Sequence, residues 1–224
     1  IRFARTVFVG PVDMDDRLYL AGDRLWMTSG GLDLVAFDLV GPAAPREIGR
    51  FAPSGEPLIE VAFAGDLAYA TDEAGFLHVI DVRNPAAMGR VFGIQVGQEA
   101  AGVAVGDGRL YVVRSLGVSS LSLANPRRPE PIGTLEILGV WGAGFYAYTH
   151  IGVVRDHVFL MSDDGRLRVI DYADPAEPEV VASSRVLPIV EDVAVEGAVA
   201  YVAASWGGLW TFDVADPATP RLLG

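Results

Sequence analysis

The chain of 224 residues has no cysteine and no lysine, and only three histidines. Without cysteine there is no disulfide, no thiolate nucleophile and no Cys-ligated zinc. The redox compartment stays open, because a cysteine-free chain suits either side of a membrane. Without lysine there is no Schiff-base amine and no Walker-type phosphate lysine, and all 17 basic residues are arginine. His78, His150 and His157 show no metal-ligand spacing. No G-x-S-x-G stretch occurs, so a hydrolase nucleophile elbow has no support. Positive charge is scarce too: 29 acidic residues set the formal net charge at −12, which repels a nucleic-acid backbone. No secretory leader is legible, and the chain opens at Ile1 rather than Met, which points to processing or to a piece of something longer.

Long hydrophobic runs are nearly absent despite a hydrophobic content of 51%. The exception is Ile137 to Val154, 18 residues without Asp, Glu, Lys or Arg. That length reaches the threshold for a membrane span. Gly139, Gly142, Gly144 and Gly152 interrupt it, and its end falls where a strand is due, so it reads as a loop entering a buried strand.

What the chain does have is a repeat. An aromatic is followed by a turn, a strand ending in Asp, and a proline four residues later. The copies are Trp26–Asp38–Pro42, Tyr69–Asp81–Pro85, Tyr111–Ser122–Pro126, Phe159–Asp171–Pro175 and Tyr201–Asp213–Pro217. Successive anchors lie 43, 41, 49 and 42 residues apart. A period of that length built from short strands predicts propeller blades. The expected fold is all-β, a five-bladed β-propeller of four-stranded antiparallel blades forming a single domain over 1–224. The blades are expected near 17–52, 60–94, 102–137, 150–185 and 192–224, with residues 3–9 closing the ring as a strand of the last blade. A larger ring of which this is an excerpt is the rival. The anchor Asp is expected to brace the turn before each proline by accepting backbone N–H groups. The recurring aromatic is expected to pack between blades.

The third-strand segments Leu34–Asp38, Leu77–Asp81, Leu167–Asp171 and Leu209–Asp213, followed by Asn84-Pro85, Asp174-Pro175 and Asp216-Pro217, resemble the LVIVD-repeat family of bacterial and archaeal proteins. The third unit departs, with Val118-Ser119-Ser120-Leu121-Ser122. The resemblance implies a β-propeller, commonly on secreted or surface-attached proteins, and brings no catalytic residues. An extracellular or cell-surface location is therefore the expectation.

Function has to be sought where the repeat breaks. The connection between the third and fourth units is about seven residues longer than its counterparts and holds Trp141, Phe145, Tyr146, Tyr148 and His150. The hairpin tip of the fifth unit adds Trp206. Aromatics on loops suit sugar stacking or a protein partner's apolar anchor. Equally open is a plug in which the insertion buries its own aromatics over the channel. A second set stands in register just ahead of each first strand: Arg17, Glu60, Gly102, His150 and Asp192. These side chains are placed to ring a channel mouth, where a polar ligand, a metal or only water is expected. Asp13 to Asp16 and Asp163 to Gly165 partly match calcium loops but lack the terminal Glu, so they read as solvated turns.

The leading expectation is a non-catalytic binding or scaffold module for a protein partner or glycan, with no cofactor, no metal, no nucleic acid and no membrane span, either monomeric or part of a larger assembly. The alternative is a glycosidase-like enzyme using Glu60, Glu99, Glu191 and Asp192, which requires two carboxyl groups ~5–9.5 Å apart.

Overall fold

The structure is a computed structural model that describes residues 17–29, 33–39, 45–53, 56–137, 150–162, 166–185, 190–204 and 207–224. The described chain forms five four-stranded sheets. The first holds β1 (Leu18–Ala21), β2 (Arg24–Ser29), β3 (Asp33–Asp38) and β4 (Arg46–Phe51). The second holds β5 (Leu58–Ala64), β6 (Leu67–Asp72), β7 (Phe76–Asp81) and β8 (Gly89–Gln95). The third holds β9 (Ala100–Gly106), β10 (Arg109–Arg114), β11 (Gly117–Ser122) and β12 (Glu130–Glu136). The fourth holds β13 (His150–Val154), β14 (His157–Ser162), β15 (Arg166–Asp171) and β16 (Glu179–Arg185). The fifth holds β17 (Val190–Glu196), β18 (Val199–Ala204), β19 (Gly208–Asp213) and β20 (Arg221–Leu222). Each sheet is antiparallel, with its strands in chain order. The fold is an all-β, five-bladed β-propeller, with a short 3-10 turn at Pro85–Ala87. The first strands of the second, third and fifth blades begin at Leu58, Ala100 and Val190, ahead of the expected starts at 60, 102 and 192. No helix among the described residues is long and apolar enough to cross a membrane.

The chain divides into two compact units, Ile1–Glu99 with the first two blades and Ala100–Gly224 with the other three. In the first unit Trp26, Leu34 and Ala36 of the first blade pack on Val61, Ala68, Ala70 and Ile80 of the second. In the second unit Tyr111 and Val113 pack on Val158, Leu160 and Tyr172, while Phe159 and Leu167 pack on Val193, Ala200 and Val202. In the second blade the two middle strands are covered on both faces, so they read as near-continuous apolar runs. The recurring aromatic is buried in four blades, at 2% exposure or less for Trp26, Tyr69, Tyr111 and Phe159. Tyr201 departs from the expectation and is 38% exposed.

The anchors brace their turns as expected. Asp81 accepts from the Arg83 N–H, Asp171 from Ala173, Asp213 from Ala215, and Ser122 fills the same role toward Ala124. A second bracket follows at once: Asn84, Asn125, Asp174 and Asp216 each accept the N–H two residues on. Proline, with φ fixed and no N–H to satisfy, sits inside the second bracket.

The fourth strand carries a feature the spacing did not announce. In the first four blades its register slips by one residue opposite the middle of the third strand, at Ala36/Phe37, Val79/Ile80, Ser120/Leu121 and Val169/Ile170. A bulge bends the outer strand and turns its edge. Gly49 and Gly133 flank the extra residue of the bulge, Ile48 and Ile132, in the first and third blades. A Cβ at Gly49 would overlap the Pro85 carbonyl, and one at Gly133 the Pro175 carbonyl, so each glycine seats the proline turn of the next blade. Arg24 and Arg109 reach across the same two seams, to the carbonyl oxygens of Val82 and Tyr172, and Arg109 also pairs with Asp156 at 3.0 Å. In the fifth blade β20 pairs with Phe212 and Asp213. The expected closing strand at residues 3–9 lies outside the described residues.

Candidate functional site

In every blade the turns after the first and third strands lie at one end, and the hairpin between the second and third strands lies at the other, with the exit from the fourth strand. This follows from the antiparallel order. The braced turns belong to the first end. The connection that breaks the repeat belongs to the second. Ile137 donates its N–H to Leu116 O at 2.9 Å, tying the start of the connection to the β10–β11 hairpin. His150 pairs with Met161 at the hairpin end of β14, which fixes where the connection returns. Trp141, Phe145, Tyr146 and Tyr148 fall between these fixed points, outside the described residues, as do Trp206, Asp13 to Asp16 and Asp163 to Gly165. Ala204 and Gly208 pair at the base of the hairpin that contains Trp206.

The second set stands in one register. Arg17 lies opposite Thr28, Glu60 opposite Thr71, Gly102 opposite Val113, His150 opposite Met161 and Asp192 opposite Ala203. Each partner is two residues past the recurring aromatic. One correction applies: Glu60, Gly102 and Asp192 lie inside the first strands, and His150 begins one, because these strands extend further back than the apolar runs suggested.

The structure brings two of these residues together. The Arg17 guanidinium pairs with Glu60 Oε2. Tyr19 donates its hydroxyl to Glu60 Oε1 at 2.7 Å, and the Val61 N–H adds a weaker bond at 3.3 Å. Burial, then the charge of Glu60, pushes the Tyr19 hydroxyl well above the usual phenol range. Thr28 Oγ1 accepts the Arg17 N–H at 3.0 Å. This is a polar seam between the inner strands of the first two blades. A carboxylate engaged by a guanidinium, a phenol and a backbone amide is a poor general base, which counts against Glu60 as a glycosidase acid or base. Glu99 lies in left-handed backbone at φ 51°.

One polar cluster escaped the sequence reading. Asp72, at the end of β6, accepts the Phe76 N–H at 2.8 Å and holds His78 Nε2 at 2.9 Å, with both side chains buried. Arg90 lies over the Phe76 ring and within 3.5 Å of His78 Nδ1. Asp72 and His78 are six residues apart across a hairpin tip, a spacing that announces a pairing only once the hairpin is drawn. No cluster of three metal-ligating side chains occurs among the described residues.

The comparisons agree with this architecture. Residues 59–95 and 189–224 match the LVIVD repeat model. No curated protein matches the chain. Among solved structures, a protein from Lactobacillus plantarum superposes with a TM-score of 0.73 at 16% identity, covering 92% of this chain and 69% of that one. The Cps50 (Swd1) β-propeller domain of Myceliophteria thermophila gives 0.64 at 13%, covering 93% and 73%. BamB from Moraxella catarrhalis gives 0.61 at 13%, covering 92% of this chain and 59% of its own. At these identities the likeness is one of fold, and the chain spans well under two thirds of BamB's length.

Proposed function

Starting from a chain that carries LVIVD repeats in its second and fifth blades, we propose that it is a non-catalytic propeller module that holds a protein partner or a glycan at the hairpin end of its blades, in an extracellular or cell-surface setting. The observation that carries this reading is a division of labour. At one end the polar groups of four successive turns are spent on bracing backbone N–H groups. At the other end the repeat is broken once, by an aromatic-rich connection whose two ends are pinned beside the β10–β11 and β14–β15 hairpins. Structural repetition at one end and one aromatic departure at the other suit a frame that displays a recognition surface.

Replacing Trp141, Tyr146 and Trp206 together by Ala is expected to abolish capture of a glycan or protein ligand in an array or pull-down, with the melting temperature within ~2 °C of wild type. Collapse of the fold would instead assign these residues to a plug. Protease shaving of intact host cells tests the location: a surface module is cleaved, and one shielded inside the cell is not.

A further inference from the structure

Asp72 and His78 form a buried pair that the repeat does not supply. Counted from the recurring aromatic, the same two places hold Ser29 and Val35, Arg114 and Ser119, Ser162 and Arg168, and Ala204 and Trp210. An acid and a histidine found together in one blade are not needed to build a blade. His78 lies opposite Ala70, which packs in the core shared with the first blade, so the ring belongs to that seam.

Its contacts fix its tautomer. A carboxylate only accepts, so Asp72, which already takes the Phe76 N–H, receives its bond at 2.9 Å from His78 Nε2–H. The bare Nδ1 of the neutral ring then accepts from Arg90 at 3.5 Å, and the same guanidinium lies 5.6 Å from the centroid of the Phe76 ring. Other charges of the first two blades are engaged elsewhere: Glu60 with Arg17, Asp33 and Glu47 with Arg50, Asp81 with Arg83. Glu73, at the hairpin tip, is exposed, and Tyr69 stands opposite Val79, on the other face of the sheet. Among the described residues, Asp72 and Arg90 are thus the charges that meet the ring.

We propose that Asp72, His78 and Arg90 form an acid-operated latch on the second blade, in which uptake of one solvent proton at His78 Nδ1 ejects the Arg90 guanidinium from the Phe76 ring into solvent. The proton occupies the lone pair that held Arg90 and leaves an imidazolium facing a guanidinium. Asp72 keeps the ring in place, because its bond to Nε2–H becomes charge-assisted on both sides. The cluster passes from zero net charge to a single positive charge, and a guanidinium becomes available to an anionic group beside the β6–β7 hairpin.

Nitrogen-15 NMR of the whole chain, from about pH 8 to about pH 5, tests this. Near neutral pH His78 Nδ1 is expected to resonate as a bare nitrogen and Nε2 as a protonated one. On acidification the Arg90 Nε–H and Phe76 ring signals are expected to move with the midpoint of His78. In His78→Gln the Arg90 signals should no longer follow pH. In Arg90→Gln, an exposed position, His78 should titrate at higher pH than in the wild type, because a facing cation is gone. The proposal is overturned by a neutral ring protonated on Nδ1, by an imidazole that stays neutral until the fold melts, or by Arg90 signals indifferent to His78. Arg90 signals that still move in His78→Gln, or an unmoved midpoint in Arg90→Gln, overturn it equally.

Discussion

Asp171 accepts the Ala173 N–H at 2.7 Å, and the same bond recurs after Asp81 and Asp213. Because this contact is local, the residues that make it stand two apart and the sequence announces it. Asp171→Ala is expected to cost about 1 kcal/mol, read as a lower urea midpoint with an unchanged slope. The buried aromatic is the other residue readable in advance. Tyr69→Ala removes a fully buried ring and should cost ~3–5 kcal/mol, so an unchanged denaturant midpoint would refute its place in the core. Gly133 was not readable in the same way. Its missing side chain matters because Pro175, far along the chain, fills the space. The only hint was the dipeptide Ile-Gly at both 48–49 and 132–133. Gly133→Ala is expected to destabilise by ~1–3 kcal/mol through overpacking, against little effect for Gly89→Ala, where the added atom meets open space.

At the scale of strands and sheets, period and turn chemistry placed all five blades, since each repeat spells out its own hairpins. The bulges escaped because a register slip changes pairing without changing which residues are apolar. The serines of the third blade looked like decay of the repeat and are not. Ser120 is fully buried and donates to the Pro175 carbonyl at 3.2 Å, and Ser119 meets Thr134 at 3.0 Å. The polar third strand is thus matched to its neighbours across and along the sheet. Ser120→Ala nearly keeps the volume and leaves the Pro175 carbonyl without that donor, so a loss of ~1–3 kcal/mol is expected, read as a lower denaturant midpoint. The second set of candidate residues was legible as a register and illegible as a contact. That Arg17 and Tyr19 converge on Glu60 depends on the packing of two blades, which no spacing within one blade encodes.

At the scale of the molecule, burial raises the hydroxyls of Tyr19, Tyr69, Tyr111 and Tyr172 above the usual phenol range, Tyr69 to about 12. The folded state therefore keeps protons that the unfolded chain releases near pH 10. The stabilisation is complete below that pH and is lost as pH rises through the folded values, by up to ~1.4 kcal/mol per pH unit for each such tyrosine. Urea midpoints should hold between pH 8 and 9.5 and fall steeply toward pH 11, and Tyr172→Phe should make the fall shallower. Architecture was legible at this scale because it repeats, and recognition was not, because it rests on the one stretch that does not. The glycine seats and arginine reaches have a further bearing on the exchange of blades. The first and third blades give a seat and an arginine, and the second and fourth supply the proline turn that fills them. At the seat position the second blade has Phe92 and the fourth Ala182. Two seams thus hold a seat that only a glycine leaves open, and a blade transplanted into either place would have to bring that glycine with it.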